Sequence, residues 1–181
     1  VNKAIALVAQ AVETGLIPGA ALGLVTRSGG WQTAYFGVQH REDPQPITRE
    51  TYFDLASLTK VIFTVTEVLR LAEDGLADLD DPLSRFMPEM SWMQGSDLAR
   101  RTLRQLITHT AGLPEWAPVY TWNTDPNLLR HQVLQHRWEV SPAGTTLYSD
   151  IGYILLGLVL ERVRGQAIHT LDTRPGFSWR P

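Results

Sequence analysis

Phe53-Asp54-Leu55-Ala56-Ser57-Leu58-Thr59-Lys60 places a serine three residues ahead of a lysine, where an apolar helical pattern begins. Lysine is scarce: Lys3 and Lys60 are the only two, and arginine supplies every other basic side chain. Arginine stays protonated at working pH, whereas a lysine taken out of water can release its proton. A spacing of three puts both side chains on one helix face. The pair reads as a serine nucleophile with a lysine base. The first turn of a helix adds positive potential, which favours the neutral amine. It also offers free backbone N–H groups, so the Ser57 N–H can face a developing oxyanion. The competing reading is a helix-capping serine followed by a solvated lysine, which gives the same tetrapeptide.

Outward from this segment the pattern is helix, hairpin, then mostly helices. Asn2 can cap a first helix, with Ile5, Val8, Ala11 and Val12 at helical spacing and Gly15 placed to end it. Ala20 to Thr26 and Trp31 to Val38 read as two strands joined across Ser28-Gly29-Gly30. A polar loop holding Pro44 and Pro46 follows. The Ser57 helix is expected to run to Asp74, burying Leu58, Val61, Ile62, Val65, Val68, Leu69 and Ala72, with Gly75 as its stop. Leu79 to Met90 reads as a wrapped connection. Further helices are expected over Leu103 to Thr108, from Asp125-Pro126 to His136, and over Asp150 to Arg164, where Gly165 ends the last. The expected organisation is a helix and hairpin over 1–50, a mainly helical lobe over 51–165, and an irregular tail over 166–181. A lone hairpin is marginal in water, so these two strands call for more strands or a helix against them.

The bulk composition narrows the function classes. The 181 residues suffice for one domain or two small lobes, and no internal repeat is visible. A net charge of −3 gives no reason to expect nucleic acid or an anionic membrane as partner. The absence of cysteine removes thiol chemistry, disulfides and thiolate metal sites. No apolar run reaches the roughly 18 residues of a membrane span; Ile151 to Leu160 comes closest but ends in Glu161-Arg162. No signal peptide is visible at Val1. The chain has no G-x-S-x-G elbow, no H-E-x-x-H, no P-loop and no G-x-G-x-x-G, and His131 and His136 are five apart. The reading calls for no cofactor and no metal.

Tyr148-Ser149-Asp150 opens the last helical pattern, after the turn Ser141-Pro142-Ala143-Gly144. A tyrosine here can relay a proton between nucleophile, base and leaving group, and Asp150 can hydrogen-bond a substrate amide. Taken alone, Tyr148 reads as a half-buried core aromatic and Asp150 as a helix N-cap. Together, Ser57, Lys60, Tyr148 and Asp150 resemble the motifs of the serine β-lactamase and penicillin-binding protein superfamily. The resemblance is greatest to its class C β-lactamase-like branch, which includes esterases, D-aminopeptidases and DD-peptidases. Ile17-Pro18-Gly19-Ala20, Leu76 to Pro82, and Leu106-Ile107-Thr108-His109-Thr110-Ala111-Gly112-Leu113-Pro114 are also similar to this branch. The likeness covers about Val1 to Gln166.

The resemblance implies an α+β, β-lactamase/transpeptidase-like fold: a helical subdomain plus the N-terminal helix and hairpin of an antiparallel sheet. It implies a Ser-Lys-Tyr acyl-enzyme mechanism acting on an ester, a β-lactam or a D-amino-acid peptide. Ser57 would be acylated, Lys60 would act as base, Tyr148 would share the proton transfer, and Asp150 would bind substrate. Asp150 stands where the family typically carries an asparagine, so it keeps an acceptor and loses the amide donor. His109 is expected to be structural. The family's third motif, K-T-G or H-x-G, has no match after Asp150, so the C-terminal strands of the sheet are expected to be absent. Leu171-Asp172-Thr173 resembles a later family segment. The alternative expectation is a catalytically silent chain, serving as a binding module or as half of a complemented enzyme. Self-association or a second chain would then complete the sheet.

Overall fold

The computed structural model describes residues 2–87 and 96–171. Two compact units divide the chain after Asp54. The first begins with α1 (Asn2–Glu13), whose half-buried Ile5, Val8, Ala11 and Val12 form the expected apolar stripe. Gly15, at φ 73°, ends it, with the Leu16 N–H reaching back to the Ala11 carbonyl at 2.9 Å. Then β1 (Gly19–Val25) and β2 (Trp31–Gly37) pair antiparallel. Ala20 faces Phe36 and Leu22 faces Ala34, so alternate residues share the half-buried face. The turn is a three-residue loop. Gly29 lies at φ 84° and donates to the Thr26 carbonyl at 3.0 Å, and Thr26 pairs with Gly30 beyond it. Residue for residue, both strands lie within one position of the sequence expectation.

The second unit starts at Leu55 and is built on α5 (Asp150–Arg164). Ile151, Gly152, Leu155, Leu156, Val159 and Leu160 are buried along one side of this helix, at the spacing of a single α-helical stripe. Ser149 caps its start by accepting from the Gly152 N–H at 3.1 Å, and Gly165, at φ 69°, stops it. The competing reading of Asp150 as the helix N-cap does not hold: the serine one residue earlier takes that role, which leaves the aspartate side chain free of it. Against α5 pack α2 (Thr66–Glu73), through Val68 and Leu71, and α3 (Leu103–Ile107), through Leu103 and Leu106. A capping box between Thr102 and Gln105 fixes the start of α3. In α4 (Pro126–Gln135), Asp125 caps the helix and Pro126 takes its first position. The connection after α2 wraps as expected through a short turn, Leu83–Arg85, and Arg104 grips Asp80 with two hydrogen bonds, at 2.8 and 2.9 Å. Its far end at Met90 and the tail beyond Leu171 lie outside the described residues.

The nucleophile helix departs from expectation in phase. Over Lys60–Val65 the backbone widens into π geometry before continuing as α2. A π turn carries an extra residue per revolution and rotates the following face. The buried set is consequently Thr64, Glu67, Val68 and Leu71, while Leu58, Val61 and Leu69 are exposed. Glu67 is retained in the interior because Arg70, one turn on, ion-pairs with it. No helix among the described residues is long and apolar enough to cross a membrane. Leu71→Ala should destabilise the chain by about 2–5 kcal/mol, and Leu69→Ala should stay within about 0.5 kcal/mol of wild type. Urea unfolding of the two variants checks this, and the reverse ranking would restore the stripe read from sequence.

Candidate active site

Ser57 sits on a turn immediately before the helix, and the turn is tight. The N–H groups of Leu58, Thr59 and Lys60 bond to the carbonyls of Leu55, Ala56 and Ser57 at 2.9, 3.0 and 3.1 Å. These three N–H groups, which sequence reasoning left free, are therefore occupied. The Ser57 N–H has no protein partner among the described residues, so it remains available as an oxyanion donor. Ala56 is held at φ 44°, a left-handed conformation that costs a non-glycine residue about 1–3 kcal/mol. That strained residue turns the backbone so that Ser57 projects from the helix entrance.

The side chains named from sequence meet. Lys60 Nζ donates to Ser57 Oγ at 3.2 Å, which fulfils the one-face geometry of the serine–lysine spacing. The Tyr148 hydroxyl, 91 residues away in sequence, donates to the same Oγ at 2.7 Å. Asp150 Oδ1 lies 2.8 Å from Lys60 Nζ. The amine is drawn well out of solvent, with 16% of the lysine side chain accessible. The rings of Tyr148 and Tyr153 present their faces to it at 5.0 and 5.6 Å. Tyr153 is itself anchored by a 2.8 Å hydrogen bond to the Ile107 carbonyl.

The protonation of this cluster corrects the sequence expectation. Burial does pull the Lys60 pKa down, but hydrogen bonding to Asp150 and Tyr148 and the Asp150 charge more than reverse it. The net shift is above the ordinary lysine value. Lys60 is therefore an ammonium at rest, not the neutral amine that a buried lysine alone would be. Tyr148 moves the other way: hydrogen bonds from Lys60 and to Ser57 bring its phenol below the usual tyrosine range. The two shifts run in opposite directions, favouring the charged form of each side chain.

Two residues that sequence reasoning did not place in the site set its geometry. Ser149 is buried, donating to the Pro114 carbonyl at 2.6 Å while capping α5. His109, assigned a structural part, stacks on Tyr148 with ring centroids 4.4 Å apart. Behind the amine, an open groove of about 490 Å³ runs along α5, bounded by Lys60, Asp150, Tyr153, Ile154, Leu158 and Ile168.

The site thus gathers a serine hydroxyl, a lysine amine and a phenol within hydrogen-bond reach, beside a Ser57 N–H that has no protein partner among the described residues. The Beta-lactamase family model matches residues 4–174, and the chain belongs to that family. It has the β-lactamase/transpeptidase-like fold. A crystal structure of a class C β-lactamase from Rhodobacter sphaeroides shares 32% identity at a TM-score of 0.73, over 93% of this chain and 46% of that one. The structure of SurE with D-Leu gives 32% identity and 0.73, over 90% of this chain and 36% of that one. Penicillin-binding protein 4* of Bacillus subtilis (strain 168) is 28% identical over 142 residues, which are 73% of this chain and 30% of the relative. The chain spans about a third of the length of the curated relatives it matches.

Replacing Asp150 by Asn removes the charge that overrides desolvation, so the Lys60 pKa should fall. With only one other lysine in the chain, NMR titration of isotopically methylated lysines resolves it, Lys3 serving as control. An unchanged Lys60 pKa in Asp150→Asn would remove Asp150 from this role.

Proposed function

We propose that the chain is the nucleophile-bearing part of a serine hydrolase that works through an acyl-enzyme. The observation that carries this reading is the pair of hydrogen bonds converging on Ser57 Oγ, from Tyr148 at 2.7 Å and Lys60 at 3.2 Å. The Tyr148 hydroxyl, which donates to Ser57 Oγ at rest, first ionises by losing its proton to solvent; Ser57 then attacks a carbonyl carbon, and its proton passes to the Tyr148 phenolate. The Lys60 ammonium holds that phenolate and the nascent alkoxide through charge. The Ser57 N–H contributes one donor toward the tetrahedral oxyanion. Tyr148 then hands the proton to the leaving group, and in the second half of the cycle the same pair deprotonates water to release the acyl group.

Substrates in this reading are esters, β-lactams or D-amino-acid amides. Asp150 weighs the choice toward esters. Its carboxylate is committed to Lys60 at 2.8 Å and has no N–H to offer an amide carbonyl, whereas an ester needs no such donor. The D-Leu in the SurE structure supports keeping a D-amino-acid acyl group among the candidates.

An activated ester and a fluorescent penicillin, each followed by intact mass, should add one acyl group to wild type and none to Ser57→Ala. Tyr148→Phe should retain the fold and slow acylation by about 10²–10⁴-fold, the usual worth of a positioned proton carrier. Equal labelling of wild type and Ser57→Ala would refute the assignment of the nucleophile.

A further inference from the structure

His109 holds three consecutive residues of the segment leading into α5 by three different groups. Its carbonyl accepts from the Leu147 N–H at 2.8 Å. Its ring lies stacked on Tyr148, at 4.4 Å and 29°. Its Nδ1 accepts from the Ser149 N–H at 3.0 Å. The middle residue of the three carries the hydroxyl that touches Ser57. To make this grip His109 adopts φ 57°, a left-handed conformation that an ordinary side chain rarely occupies. The residue is fixed from behind by its own N–H to the Leu106 carbonyl at 3.3 Å and by Tyr153, whose ring is 4.9 Å away.

We propose that His109 is a positioning residue for Tyr148, and that it holds the tyrosine in register only as the neutral imidazole protonated on Nε2. The inference rests on the serine-hydrolase reading for its consequence in catalysis, but its structural content stands apart from it. Nδ1 must present a lone pair to the Ser149 N–H. A second proton would place two donors face to face across 3.0 Å and break that bond. The groups facing the ring from the packed elements are Lys60 and Tyr148 at the nucleophile side and Asp150 and Tyr153 on α5. Burial and the Lys60 ammonium oppose a charge on His109, and the Asp150 carboxylate favours it. The balance lies below the ordinary histidine range. The grip is thus kept at neutral pH and is lost as pH falls through the lowered value. Release of Leu147–Ser149 would carry the Tyr148 hydroxyl away from Ser57 Oγ while leaving Lys60 and Asp150 in place.

His109→Asn and His109→Phe separate the functions of the ring. Asparagine keeps an acceptor, does not titrate and tolerates positive φ; phenylalanine keeps the stack and loses the acceptor. The rate of Ser57 acylation by an activated ester, read between pH 4 and 9, should show an acid limb in wild type. His109→Asn should keep only the limb that protonation of Tyr148 itself sets and lose the steeper fall that His109 adds at lower pH, and His109→Phe should be slower by tenfold or more at every pH. Circular dichroism confirms that both variants fold. An acid limb that survives unchanged in His109→Asn would overturn the proposal. Nitrogen-15 NMR of the imidazole gives a readout that needs no turnover. The Nε2–H tautomer with a depressed pKa supports the proposal, and an Nδ1–H tautomer refutes it even if Ser57 acylates. Failure of Ser57 to acylate, with the Nε2–H tautomer present, would refute only the hydrolase reading.

Discussion

A carboxylate 2.8 Å from the Lys60 amine fixes the proton inventory of the whole site. Without Asp150, desolvation would pull the Lys60 pKa down with less to oppose it. With it, the charge is kept and projected onto Tyr148, whose pKa falls in response. The nucleophile then has a neighbour already inclined to accept a proton. The rest of the architecture exists to place that carboxylate. Ser149 takes the cap of α5, so Asp150 can turn its side chain toward Lys60 and not back to its own helix.

The same economy of local geometry governs the approach of Ser57. The π turn at Lys60–Val65 changes which residues of the helix enter the interior, and the left-handed Ala56 bends the chain before it. Strain of this kind persists where surrounding packing over-determines it. The interior that does so is the α5 stripe with Leu71, Leu103, Leu106 and Leu113, all fully enclosed. The π turn and Tyr148 thus rest on one core. The 2.7 Å contact across 91 residues is held by that core and not by the chain between them.

Much of the fold could be read in advance. Caps and stops are local devices: Gly15, Asp125-Pro126 and Gly165 each need a backbone conformation or a donor that only a few residue types supply. The hairpin was legible for the same reason, through Gly29, whose left-handed conformation its turn demands. The helix of Ser57 was legible as a helix but not in phase, because periodicity assumes 3.6 residues per turn throughout and a π turn breaks that assumption. Leu69 and Leu71 differ by two positions and exchange places between surface and core on that account alone.

The sequence by itself determined which chemistry was on offer: Ser57 and Lys60 on one helix face, Tyr148 and Asp150 at the start of another, and family membership through their order. Helical spacing and capping are short-range rules, so adjacent residues suffice to state them. Only the tertiary structure decided which charged forms the site favours. A pKa depends on what lies within a few ångströms in space, and the groups that set it for Lys60 come from residues some 90 positions away.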